Sequence, residues 1–365
     1  MKTNAYKLLA GLVVFALALS ACGSPATTAA PTAVPATAAP TAPPAPKGKI
    51  CEVTDTGGVD DKGFNQIGWE GAQAGAQSLG WEATYLESKQ QTDYDKNITE
   101  FLNSKCDLIV TVGFLLGDAT KAAAEAHTDQ KFQILDFAYS PDIPNVWGQV
   151  YATNEASFLA GYLAAGMSKS GKVGTFGGIN IPPVADFMVG FQEGVDYYNK
   201  QKGTKVAVLG WDNAKKDGTF VGNFQNKDDG KNAANALMDE GADIIFPVAG
   251  PVGLGSAAAI QQRGAGYFMI GVDTDQYVST EFGAIMLSSV LKHLELSVQE
   301  AAKAAADGSF KGGTHVANLA NGGVGLAPFH DFDSQVPQSL KDELMQVAKD
   351  IIDGKITVDS FGTLK

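Results

Sequence analysis

Cys22 closes the segment Leu19-Ser20-Ala21-Cys22, which has the L-S-A-C form of a bacterial lipoprotein processing box. Small residues ahead of the cut fit the peptidase, and the thiol can form the thioether that carries diacylglycerol. Other chemistry-bearing patterns are weaker. Gly166-Met167-Ser168-Lys169-Ser170-Gly171-Lys172 approaches a phosphate-binding loop, but Val173 stands where a Mg²⁺-binding hydroxyl belongs. It also follows a helical pattern and opens a strand, the reverse of the order such a loop needs. Gly253-Leu254-Gly255-Ser256-Ala257-Ala258 has the G-x-G-x-x-A form of a dinucleotide site, with Asp273 further on as the candidate ribose acid. Against it, Gly250-Pro251-Val252 inserts a turn before the first glycine. No G-x-S-x-G occurs, so a nucleophile elbow is absent. Around Asp60-Asp61-Lys62-Gly63 a calcium loop would need ligands at Gly58 and Trp69, and neither side chain can serve. His127, His293, His315 and His330 show no metal-ligand spacing, and 3 Cys exclude a four-thiolate zinc site. Neither a metal, nor a cofactor, nor catalytic residues are expected.

These residues need a scaffold, and the sequence describes one in three parts. Lys2 and Lys7 precede an apolar run, Leu8 to Leu19, that is too short to span a bilayer. Residues 1–21 are therefore expected to be a lipoprotein signal peptide. Residues 22–47 are expected to be the lipidated Cys followed by a linker. Gly23 to Pro46 holds 9 Ala, 7 Pro and 5 Thr, which cannot build a core and favour an extended tether reaching about 70 Å. The full 365-residue chain is 45% hydrophobic and 18% charged, a globular composition. A net charge of −13 disfavours nucleic acid and anionic lipid as partners, since both need a basic surface. From Lys47 onward, short apolar strands alternate with helices, and the pattern restarts after about Thr153. That repetition predicts α/β architecture with two doubly wound parallel-sheet lobes and a ligand cleft between them. Polar and Gly-rich clusters at Asp55-Thr56-Gly57-Gly58, Gly113-Phe114, Gly250-Pro251 and Asp273-Thr274-Asp275 fall at the carboxyl ends of strands, where such sheets bind ligands. Cys51 and Cys106 flank strands that would be neighbours, so they are placed either for a disulfide or as two buried thiols.

The segment from Val53 through Asp55, Asp60-Asp61, Phe64-Asn65-Gln66 and Trp69 to Gly71 closely resembles the opening motif of the basic membrane protein family. The resemblance runs over about residues 49–330. It includes Asn154 to Gly161, Gly190-Phe191-Gln192-Glu193-Gly194, Gly271 to Gln276 and Ser288 to Lys292. Gly63 departs from the family pattern, where Ser is usual. The family comprises lipoproteins, among them purine nucleoside receptors. Its members are similar to type I periplasmic binding proteins that deliver nucleosides to an ATP-binding-cassette importer.

The resemblance implies a binding protein and not an enzyme. It would be a monomer anchored on the extracytoplasmic face of the cell membrane, with permease subunits as partners. Lobe 1 would comprise 48–152 with 276–306, and lobe 2 153–275 with 307–365, joined by three chain crossings. Phe64 and Phe224 would sandwich a purine. Asp136 would accept from base N–H groups, and Asp55 and Asn65 would bind ligand or brace the first loop. Asp273 and Lys292 would bind the ribose, and Gly250 would allow close backbone approach. Simpler roles are a surface-loop aromatic for Phe224, a cap or turn acid for Asp136, and a solvated helix charge for Lys292. Trp69 and Phe187 are expected in the core or at the rim. A sugar or other small-molecule receptor on the same fold is the first alternative, and an NAD-dependent oxidoreductase built on Gly253 and Gly255 the second.

Overall fold

The computed structural model describes residues 47–362. The signal peptide, the tether before Lys47 and lipidation at Cys22 lie outside the described residues. In chain order the elements are β1 (Lys49–Thr54), α1 (Phe64–Leu79), β2 (Glu82–Leu86), α2 (Tyr94–Asn103), β3 (Leu108–Val112), α3 (Gly117–Ala126), β4 (Phe132–Leu135) and β5 (Val146–Tyr151). Next come α4 (Thr153–Met167), β6 (Lys172–Gly177), α5 (Pro182–Lys202), β7 (Ala207–Leu209) and a small hairpin of β8 (Trp211–Asp212) and β9 (Asp217–Gly218). The rest are α6 (Lys227–Asp239), β10 (Ile244–Val248), α7 (Val252–Arg263), β11 (Phe268–Asp273), α8 (Gln276–Ser279), β12 (Met286–Lys292), α9 (Leu294–Asp307), β13 (Gly313–Ala317), β14 (Val324–Leu326) and α10 (Gln338–Ile352).

Two six-stranded sheets result, ordered β13-β5-β4-β3-β1-β2 and β14-β12-β11-β10-β6-β7. All pairings in them are parallel except β12 with β14. The central strands are covered on both faces, which is why β3 (LIVTV) and β10 (IIFPV) are apolar, fully buried runs without polar alternation. Cys51 and Cys106 form a disulfide with Cα atoms 6.0 Å apart, tying β1 to the turn before β3.

Sheet pairing changes the expected lobe boundaries in two places. β12 hydrogen-bonds to β11, so Met286–Lys292 belongs to the second lobe's sheet and not to a first-lobe segment 276–306. β13 pairs with β5, so Gly313–Ala317 belongs to the first lobe's sheet and not to 307–365 of the second. The α9 helix does lie on the first lobe: a Cβ on Gly71 of α1 would stand 2.7 Å from the Glu295 Cα atom. The chain crosses between lobes around Ala152, around His293 and between Ala317 and Val324, three crossings in all. The alternation in the sequence gives no strand over Val146–Tyr151 and no helix over Leu294–Asp307.

Candidate functional site

The two lobes face each other across a cleft with about 610 Å³ between its walls, counting the part open to solvent. That lies within the range of about 300–1,000 Å³ usual for small-ligand sites. All eight residues singled out from the sequence line it: Asp55, Phe64, Asn65, Asp136, Phe224, Gly250, Asp273 and Lys292.

The first-lobe wall is organised by the turn between β1 and α1. Asp61 accepts hydrogen bonds from the backbone N–H groups of Gly63 (2.9 Å), Asn65 (2.9 Å) and Gln66 (3.1 Å), so its side chain caps the helix. Asn65 Nδ2 donates to Asp55 Oδ1 (2.9 Å) and Asp61 Oδ2 (3.1 Å), and Gly57 N–H donates to Asp55 Oδ1 (3.0 Å). Asn65 thus braces the loop, one of its two expected roles. The cap fixes the first residue of α1, Phe64, whose ring reaches the cleft.

At the cleft floor Lys292 is 2% exposed. Its Nζ donates to Asp136 Oδ2 of the opposite lobe at 2.5 Å and lies 3.9 Å from Asp273 Oδ1. The same ammonium sits 4.7, 5.2 and 5.5 Å from the ring centres of Phe64, Tyr151 and Phe187, a cation–π environment. Lys292 is therefore a buried strand residue, not a solvated helix charge. Asp136 follows β4 and Asp273 ends β11, the third strand in each sheet order. Both take left-handed backbone conformations, φ 66° and 68°, that non-glycine residues rarely hold. Such strain concentrates at functional positions. Asp136 Oδ1 is buried and has no hydrogen-bond partner.

The second-lobe wall contains Phe224, which packs closely on Gly178: a Cβ there would stand 2.2 Å from a ring carbon. Asn223 holds that loop by accepting from the N–H groups of Gln225 (3.0 Å) and Asn226 (2.8 Å). Gly250 turns the chain after β10 at φ 52°. Phe187, expected in the core or at the rim, is buried and also lines the cleft, with Pro183 and Val184 of the same helix. Its position on the inner face of α5 depends on how α5 meets α4, which its own sequence surroundings do not encode. Trp69 stays outside and packs edge-on against Tyr85. Asp61 is another cleft-lining residue outside the eight singled out from the sequence. Its place two residues before Gly63, at a helix start, was the available signal.

Burial dominates the electrostatics. It pushes the Asp55 carboxyl up to about 6, against the hydrogen bonds from Gly57 and Asn65. It pushes Asp273 up to about 7, with the Lys292 ammonium opposing and Asp136 adding to the rise. Asp136 is also raised by burial, and Lys292 opposes the rise there too. The folded chain therefore holds protons on Asp55 and Asp273 at pH values where the unfolded chain has released them. The resulting stability is full below about pH 4 and is lost as pH rises through 6 and 7. Unfolding of the ligand-free protein is expected to require less denaturant at pH 8 than at pH 5. The difference should be on the order of 4 kcal/mol, and Asp273→Asn should flatten the slope. Stability that rises from pH 5 to pH 8 would contradict this reading of the floor.

The dinucleotide motif does not form a phosphate loop. Gly253 to Ala258 lie inside α7, and a Cβ on Gly255 would stand 1.8 Å from the Lys227 carbonyl oxygen. The glycine serves a helix crossing with α6, which removes the basis of the NAD reading. Among the described residues no group of His, Cys, Asp and Glu is placed to hold a metal ion, and no helix is long and apolar enough to cross a membrane.

A family model described as "ABC transporter substrate-binding protein PnrA-like" matches residues 49–360. The ABC transporter nucleoside-binding protein BmpA of Lactococcus lactis is 33% identical over 86% of this chain and 89% of its own. An uncharacterized lipoprotein of Pyrococcus abyssi is 28% identical over 84% of this chain and 78% of its own. Among solved structures, an ABC transporter solute-binding protein of Aeropyrum pernix superposes with a TM-score of 0.78 at 24% identity, over 86% of this chain and 94% of that one. That likeness establishes the type I periplasmic-binding-protein-like fold. The family match extends over both lobes and the whole cleft, and its members bind and hand over solutes without chemical conversion. The chain belongs to the PnrA-like, or Bmp, family of ABC transporter substrate-binding proteins.

Proposed function

We propose that this substrate-binding protein binds nucleosides, purine nucleosides foremost, in the interlobe cleft. It would do so while anchored through Cys22 at the outer face of the cell membrane, and would pass the ligand to the permease of an ABC importer. The observation that carries the proposal is the pairing of chemistries in one cleft. Aromatic rings enter from both lobes, Phe64 from one and Phe224 and Phe187 from the other, above a floor of two carboxylates and one ammonium. A planar base suits the rings, and a ribose diol suits Asp273 and Lys292. The unpartnered Oδ1 of Asp136 can only accept, so it favours a ligand with an N–H donor, such as the ring N–H of hypoxanthine or guanine. The nucleoside-binding relative supports the same reading. Three cross-lobe chain connections suit hinge closure around the ligand.

The reading is tested by Phe64→Ala, titrated calorimetrically with inosine and with ribose. Loss of one stacking face should weaken inosine by about 1–3 kcal/mol. Equal affinity of the variant and the wild-type protein for inosine would refute the base sandwich. Wild-type affinity for ribose matching that for inosine would favour a sugar receptor instead.

A further inference from the structure

The cleft is closed at its mouth by two contacts that belong to neither lobe's core. Gln225 Nε2, from the second lobe, donates to the carbonyl oxygen of Thr56 in the first. Ser279 Oγ, also from the second lobe, donates to the carbonyl oxygen of Lys62 in the first at 3.2 Å. We infer that Gln225, with Ser279 as its companion, is a latch across the cleft mouth that sets how long a ligand stays bound. The ligand probe in this inference rests on the nucleoside reading, whereas the latch itself rests on the geometry.

Three of the four latch groups are chain neighbours of cleft-lining residues. Gln225 follows Phe224, and Thr56 follows Asp55. Lys62 follows Asp61, which caps α1 and lines the cleft. A shift of the cleft wall by one residue's width therefore moves the latch as well. Both sides are also held in place independently of each other. On the second lobe, Asn223 Oδ1 accepts from the Gln225 backbone, and Asn223 Nδ2 donates to Asp229 Oδ2 at 2.9 Å. Ser279 ends α8, whose start is capped by Asp275 accepting from Tyr277 N–H, and Asp275 Oδ2 is in turn held by His330 Nε2 at 2.7 Å. On the first lobe, Gly57 N–H fixes the Thr56 turn through Asp55, and Lys62 holds a left-handed conformation, φ 61°. The backbone on each side of the latch is thus held by bonds within its own lobe.

Gln225 is exposed, so its removal should act on closure and not on folding. Opening precedes release, and a latch made in the closed state slows opening while leaving entry into the open state unchanged. Gln225→Ala, and Gln225→Leu, which keeps the bulk but not the donor, should each raise the inosine dissociation rate about fivefold, the effect of one ordinary hydrogen bond. The association rate should stay within about twofold and the thermal midpoint should not move. Adding Ser279→Ala should raise the dissociation rate further. Stopped-flow displacement on the purified protein reads both rates, and X-ray scattering of the ligand-free protein reads closure directly. The double variant should show a larger radius of gyration than wild type. The latch is overturned if the dissociation rate of both Gln225 variants stays within twofold of wild type, or if the change appears in the association rate. Should wild type bind no nucleoside, the functional reading fails. The latch is then judged by scattering alone, where an unchanged radius of gyration overturns it.

Discussion

Lys292→Met is expected to lower folding stability by about 3–5 kcal/mol at pH 8 and to abolish ligand binding. Among the described residues the ammonium is the only cationic group lining the cleft. It lies between Asp136 at 2.5 Å and Asp273 at 3.9 Å, with all three side chains at or below 10% exposure. Its removal leaves two buried carboxylates facing each other without a counter-ion, which is costlier than never having had the pair. Protonation relieves that cost, so the loss should shrink toward pH 5, where carboxyls already raised by burial take up protons. Combining Lys292→Met with Asp136→Asn should recover part of the stability, because the charge partner disappears with the charge. Urea unfolding of the single and double variants at both pH values gives the comparison. A single variant within 1 kcal/mol of wild type at pH 8 would show that the floor is not a desolvated ion cluster.

Gly194→Val should cost about 3 kcal/mol or more, since it overpacks a place where neither neighbour can yield. The α4 and α5 helices meet backbone to backbone. A Cβ on Gly161 would stand 1.9 Å from the Phe191 carbonyl oxygen, on Gly190 2.0 Å from that of Asn154, and on Gly194 1.9 Å from that of Phe158. The helix-propensity gain from replacing glycine, about 1 kcal/mol at most, does not offset a forced separation of two helices. The consequence reaches the site, because α5 carries Pro183, Val184 and Phe187 into the cleft. Denaturant unfolding and inosine titration should therefore both show losses. Gly63→Ser is the matched control. A Cβ there meets nothing within 4 Å, so overpacking plays no part, and any cost is confined to a backbone of φ −159° and ψ −116° that is neither extended nor helical.

The sequence made local features legible and long-range pairing much less so. Helices such as Tyr94–Asn103 and strands such as Leu108–Val112 follow from apolar periodicity, and the eight cleft residues follow from motifs that resemble the family's. The partition of Met286–Lys292 and Gly313–Ala317 between sheets does not follow, because a strand's sheet is decided by which neighbour it pairs with and not by its own residues. Asp136 and Asp273 were readable as acids at strand ends. Their left-handed backbones, and the ammonium that joins them across the lobes, arise only once both sheets are placed. Phe187 illustrates the same limit: an aromatic on an apolar helix is core by pattern, and only the close α4–α5 crossing turns it toward the cleft. The G-x-G-x-x-A motif failed for the converse reason. Both glycines lie within α7, and Gly255 satisfies a helix crossing with α6 where a phosphate turn would need a loop.

The central claim is tested most directly by calorimetric titration of protein that has been unfolded and refolded to strip any copurified ligand. The panel is inosine, guanosine, adenosine, cytidine, uridine, ribose and NAD. The account predicts heats of binding for the purine nucleosides, with thermal stabilisation growing as the logarithm of ligand concentration, and silence from ribose and NAD. Binding of ribose alone, or of no nucleoside, would leave the fold and family in place and contradict the assignment of the cleft.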